Sequence, residues 1–129
     1  PEYMTAMRQA QNALQSALSA KGIIIECNPS SNVLIGTFGS YHAHPIFRFN
    51  PPISRHSPTP LESDELQVCV NTDDLGVFDT SQSFEYALLY QALYEARDDK
   101  NNRIFTESEI IDYLESLRQA GFTAVFPKA

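Results

Sequence analysis

Val68-Cys69-Val70-Asn71-Thr72-Asp73-Asp74 runs straight into Leu75-Gly76-Val77-Phe78-Asp79-Thr80-Ser81, and the change of residue type along this stretch organises the rest of the chain. A β-branched apolar run stops at two adjacent carboxylates, and a turn glycine and a cluster of helix-capping residues follow. That order describes a strand whose carboxyl end opens into a loop and then a helix. Carboxylates at the carboxyl end of a parallel strand stand where α/β folds place their chemistry. Asn, Thr and Asp also serve Asx turns and helix N-caps. From the residues alone, Asp73-Asp74 is either a metal- and substrate-binding corner or a capping turn.

Upstream, positions 66–70 form the strand that leads into this corner, and Ile23-Ile24-Ile25-Glu26-Cys27 forms another. Both are short, nearly continuous apolar runs, the kind that parallel sheets cover on both faces. Asn28-Pro29-Ser30-Ser31-Asn32 ends the first with loop chemistry. Before it, Tyr3, Met4, Met7, Ala10, Leu14, Ala17 and Leu18 recur at three- and four-residue steps, an amphipathic helix over 2–20 closed by Lys21-Gly22. Gly36 and Gly39 break any long regular element in 33–39, and Pro45 opens a short helix over 45–49. The stretch 50–63 carries Pro51, Pro52, Pro58 and Pro60 and reads as a surface loop.

Downstream, Thr80 or Ser81 caps a helix reaching about Arg97. Its segment 84–94 is apolar round most of its circumference, so it is buried on two sides or meets another chain. Residues 98–103 form a solvated turn. Thr106 and Glu109 make a capping box for a last helix that turns Ile110, Ile111, Leu114 and Leu117 inward and stops at Gly121. A short apolar tail, 122–127, packs back. Parallel strands need a crossover, and a two-stranded parallel sheet is not a stable domain by itself. The pattern is α/β and resembles the end of a larger repeat.

Composition bounds the function. With 129 residues, 43% hydrophobic and 19% charged, the chain suits one soluble domain with a real core. A formal charge of -7 argues against a protein that tracks nucleic-acid phosphates. There is no apolar run of membrane-spanning length and no signal-peptide pattern, so a cytoplasmic setting is expected. Cys27 and Cys69 sit in apolar runs and read as buried thiols. The first residue, Pro1, stands in an already helical pattern without a Met, which suggests a piece of something longer.

The remaining constellations are weaker. His42-Ala43-His44 is a loose two-histidine motif between Gly39-Ser40 and Pro45, not on an apolar strand, so local metal binding is not expected there. His56 reads as a solvated loop residue. The run 98–102 has the wrong ligand frame for a calcium loop, because Lys100 and Arg103 fall where an oxygen ligand and a glycine are needed. Tyr86, Tyr90 and Tyr94 have helical spacing and read as core or subunit contact.

Four ordered motifs carry a wider resemblance. Asn71-Thr72-Asp73-Asp74, Phe78-x-Thr80-Ser81 and Glu85-Tyr86 resemble the last barrel strand and following helix of the adenosine deaminase family, which are metal-dependent amidohydrolases with a (β/α)8 barrel. Glu26-x-Asn28-Pro29-x-Ser31-Asn32, followed by His44-Pro45, resembles that family's preceding strand and loop. Gly121 to Phe126-Pro127 is similar to its C-terminal end. Asn28 stands where many members have cysteine, and the Pro-rich loop is longer than usual.

The resemblance implies a fold class: a partial (β/α)8 barrel, the last two parallel strands with flanking helices. It implies that Asp73 is the catalytic carboxylate ligand of zinc and that Asp74 contacts the purine ring. The reaction implied is hydrolytic deamination of adenosine or a related aminopurine nucleoside. The family's His-x-His, two further histidines and general-acid glutamate precede the region this chain resembles. A single carboxylate does not hold zinc in a three- or four-ligand site, so the chain is expected to be inactive and zinc-free by itself. Its expected partners are the rest of the barrel and, through uncovered apolar surface, other copies of itself. A rival reading is a non-catalytic binding or assembly module derived from the end of such a barrel.

Overall fold

Isoleucine and valine favour extended backbone packed against neighbours. In the computed structural model, which describes residues 2–54 and 65–124, they form two short strands, β1 (Ile24–Cys27) and β2 (Gln67–Val70). The strands are parallel and in register from Ile24 against Gln67 to Cys27 against Val70. The Asn71 N–H donates to the Cys27 carbonyl at 2.9 Å, so the ladder runs to the strand ends.

Helix α1 (Glu2–Ala20) precedes β1. It closes as expected at Gly22, whose φ of +65° lets the Ile23 N–H reach Leu18 O and the Gly22 N–H reach Ser19 O. That pair of bonds is a Schellman motif. The crossover from β1 to β2 holds α2 (Pro29–Ile35), a 3₁₀ turn (Tyr41–Ala43) and α3 (Ile46–Phe49). Here one expectation fails: 28–32 is not loop but the start of α2. Proline at the first turn has a preset φ and no N–H that the helix needs, and the Asn32 N–H closes the first turn on Asn28 O at 2.8 Å. The Pro-rich stretch has no regular structure over 51–54, and its remainder, including His56, lies outside the described residues.

After β2 come α4 (Leu75–Phe78), α5 (Gln82–Glu95) and α6 (Glu107–Thr123). Ser81 accepts from the Phe84 N–H to cap α5, and Thr106 with Glu109 completes the capping box of α6. Helix α6 does not stop at Gly121. A mid-helix glycine costs only about 1 kcal/mol, and the helix continues to Thr123; 125–127 of the expected tail lie outside the described residues.

The core gathers Cys27 of β1, Val68 and Val70 of β2, Leu89 and Leu93 of α5, and Ile110, Tyr113 and Leu117 of α6, with Ile46 and Leu66. Ile111 was expected inward but is exposed. It lies roughly 100° round the helix from Ile110, while Tyr113 and Leu117 continue the buried stripe. The strands are not covered on both faces among the described residues, since Glu26 and Gln67 are exposed. Helix α5 is fully buried along one stripe, Glu85, Leu89, Ala92 and Leu93, with Tyr86, Tyr90 and Tyr94 half-buried beside it. Among the described residues, no helix is long and apolar enough to cross a membrane.

Candidate active-site corner at the strand ends

The carboxyl ends of β1 and β2 are adjacent, and the segments leaving them are joined by a set of hydrogen bonds that range from exposed at Asp73 to fully buried at Glu85. Asp73, three residues beyond Val70, has a φ of +59°. Asp tolerates this left-handed region better than most residues, though at a cost of about 1 kcal/mol or more. Both its oxygens are engaged: Oδ1 accepts the Asp74 N–H at 3.0 Å and Oδ2 accepts the Ser31 hydroxyl at 2.8 Å. A carboxylate has about four lone-pair directions, so acceptor capacity remains.

Asp74 takes the capping role. Its Oδ1 accepts the Gly76 and Val77 N–H groups, each at 2.9 Å, which starts α4, and its Oδ2 makes no hydrogen bond among the described residues. The pair therefore divides, with one carboxylate tied across to the other strand end and one serving a helix start.

Ser31 is held by α2, and three side chains around that helix fix it. Glu85 of α5, with no exposed surface, accepts the Ser30 N–H through Oε2 at 2.8 Å and the Thr80 hydroxyl through Oε1. Asn32 Oδ1 accepts the Asn28 N–H at 3.2 Å. His44, 2% exposed, accepts the Ile46 N–H at Nδ1, so its Nε2–H donates to Asn32 Oδ1 at 3.1 Å. Burial lowers the His44 pKa from its ordinary value, and the nearby Glu85 charge pulls it the other way. A neutral ring with both nitrogens engaged is a brace between segments. Next to these, Asn28 Oδ1 and Ser30 Oγ are buried without a hydrogen-bond partner among the described residues.

The other candidates stand elsewhere. His42 Nε2 lies 3.8 Å from the Glu95 carboxylate on an open surface. Cys27 is buried, its thiol pushed up to about 12 chiefly by desolvation, and Cys69 is half-buried; both are free thiols. Asp98 Oδ1 accepts the Lys100 and Asn102 N–H groups, at 2.9 and 2.8 Å, and its Oδ2 accepts the Asn102 side-chain amide at 3.2 Å, in a turn. Among the described residues, no group of three or more His, Cys, Asp or Glu side chains is placed to hold a metal.

Sequence reading took Ser31 and Glu85 only as parts of motifs and missed the network they form. A signal was present. Glu85 stands four, seven and eight residues before Leu89, Ala92 and Leu93, on the apolar stripe, and a carboxylate there is retained only when hydrogen-bonded.

Comparison with known proteins agrees in kind. Over 81 residues the chain is 36% identical to an adenosine deaminase-like protein of Drosophila pseudoobscura pseudoobscura, spanning 63% of this chain and 20% of that protein. Over 109 residues it is 28% identical to an adenine deaminase of Rhizobium leguminosarum bv. trifolii (strain WSM2304), spanning 83% of this chain and 30% of that protein. The chain is similar to deaminases. It covers between a fifth and three tenths of the length of these two relatives. No protein-family model matches it, and no solved structure does.

Proposed function

We propose that this chain is the closing part of a (β/α)8 barrel in a zinc-dependent hydrolase that deaminates adenosine or a related aminopurine nucleoside. The observation that carries the reading is Asp73, a carboxylate beyond a parallel strand, whose Oδ2 accepts the Ser31 hydroxyl from the segment after the other strand while Oδ1 accepts the N–H of its own neighbour Asp74. Ligating carboxylates in metal sites are themselves hydrogen-bonded in this way, which fixes their orientation. The similarity to two proteins named as deaminases supports the same reading.

The donor set fits one zinc ligand, not a complete site, since no metal-holding group of three stands among the described residues. Asp73 is that ligand, and the rest of the barrel supplies the others. Zinc held there by Asp73 and the other ligands would supply a water ionised near neutral pH. This chain's own part is to hold the Asp73 carboxylate steady through Ser31 and the Asp74 N–H. Asp74 starts α4 with Oδ1 and turns Oδ2 to a purine ring nitrogen. The orphaned Asn28 Oδ1 and Ser30 Oγ find partners in the missing part of the barrel or in the substrate.

The test uses the full-length polypeptide that carries this chain. It should contain zinc and release ammonia from an aminopurine nucleoside. Asp73→Ala should lose zinc occupancy and turnover together, by about 10³-fold or more in rate, as expected when a metal-activated nucleophile is lost. Zinc content by elemental analysis and ammonia release over a nucleoside panel read both. Retained zinc with normal turnover would refute the role of Asp73. A full-length protein with neither zinc nor turnover would favour the non-catalytic module.

A further inference from the structure

Glu85 is the buried charge that the proposed chemistry leaves without a task. It has no exposed surface, and both its oxygens are committed to segments leaving different strands. Oε2 takes the Ser30 N–H, 55 residues away in sequence, on the segment after β1. Oε1 takes the Thr80 hydroxyl, on the segment after β2. The Asn28 side chain at the start of α2 makes no capping bond, so the first turn of α2 is capped from α5 by Glu85. The next residue, Ser31, is 1% exposed and makes the bond to Asp73.

We propose that Glu85 is a positioning residue for Asp73, acting through the Ser30-Ser31 turn. This rests on the reading of Asp73 as the zinc ligand. A carboxylate suits the task because both partners are donors and a carboxylate only accepts. Glutamine in its place offers a neutral carbonyl to the Ser30 N–H and turns an amide N–H₂ to Thr80, whose hydroxyl must reverse to accept it, so the charge-assisted bonds of the clamp are lost. Fixing Ser30 from one oxygen and Thr80 from the other sets the spacing of the two strand-end segments, and the Ser31–Asp73 bond spans that spacing. Loosening Glu85 lets the Asp73 carboxylate rotate before any contact with zinc is touched.

The experiment measures zinc affinity of the full-length polypeptide by chelator competition, in a cycle of Glu85→Gln, Ser31→Ala and the double variant. Each single change should weaken zinc by about 10- to 100-fold, the usual effect of removing a ligand's hydrogen-bond partner. The double variant should be little worse than either, because both break one relay. In the metal-free protein, exchange of the Ser30 amide hydrogen should speed up in Glu85→Gln. Multiplying losses in the double variant would show that Glu85 only supports the fold, and unchanged zinc affinity in Glu85→Gln would also overturn the proposal. If Glu85→Gln does not fold, Thr80→Val cuts one arm of the clamp and is judged by the same cycle with Ser31→Ala. A wild-type polypeptide that binds no zinc would instead overturn the reading of Asp73 on which this rests.

Discussion

His44 shows how one buried side chain couples the corner to pH. Its ring is 2% exposed and neutral, accepting at Nδ1 and donating from Nε2. Desolvation holds its folded pKa below the ordinary 6.5, so the unfolded chain binds the proton more readily than the folded one. Stability from this group is complete above about 6.5. It is lost as the pH falls from there through the lowered folded value. The denaturation midpoint should therefore drop between pH 7 and pH 5, and His44→Gln should flatten that slope; an unchanged slope would show that other groups govern it. At this scale the sequence revealed Asp73 and Asp74 as a pair, and the structure gives them different hydrogen bonds. It did not reveal the Ser31–Asp73 and Glu85–Ser30 bonds, which join residues 42 and 55 positions apart. Local pattern has no access to such pairs, except through the oddity of a carboxylate on a buried helical stripe.

Among the elements, two glycines that look alike in the sequence should respond in opposite ways. Gly22 adopts a φ of +65° with nothing within 4 Å of an added Cβ, so Gly22→Ala pays only the left-handed backbone cost, about 1 kcal/mol. Gly121 lies inside α6, and an added Cβ would meet Cys69 Cβ at 3.8 Å, an ordinary contact. Gly121→Ala should stabilise by about 0.5 to 1 kcal/mol. Urea unfolding of both variants reads the two signs, and a destabilised Gly121→Ala would mean that α6 has no room at β2. The same contrast explains what was legible. Ends marked by caps, such as Gly22, Ser81 and the Thr106–Glu109 box, were readable because the signal is local. The start of α2 and the end of α6 were not. Pro29 and Gly121 are breakers in one context and tolerated in another, and the context is long-range.

At the scale of the whole molecule, the α/β character and the two parallel strands followed from the β-branched runs, whereas the one-sided cover of the sheet among the described residues did not, because neighbours set it. Among the described residues, the two strands leave an unpaired backbone edge on each side of the sheet. Such edges are templates for pairing with other chains. Large apolar side chains also stand in water: Tyr3, Met4 and Leu14 on α1, Leu34 and Ile35 on α2, Leu75 and Val77 on α4. Single exposed apolar residues are normal, but this number on three helices is what the partial barrel proposed above would leave uncovered. The chain produced alone should therefore self-associate as concentration rises, while the full-length polypeptide, with those edges paired, should not. Sedimentation of both across a concentration series tests this. A stable monomer of the isolated chain at high concentration would mean that its open edges and apolar helix faces need no partner, and would weigh against the partial barrel itself.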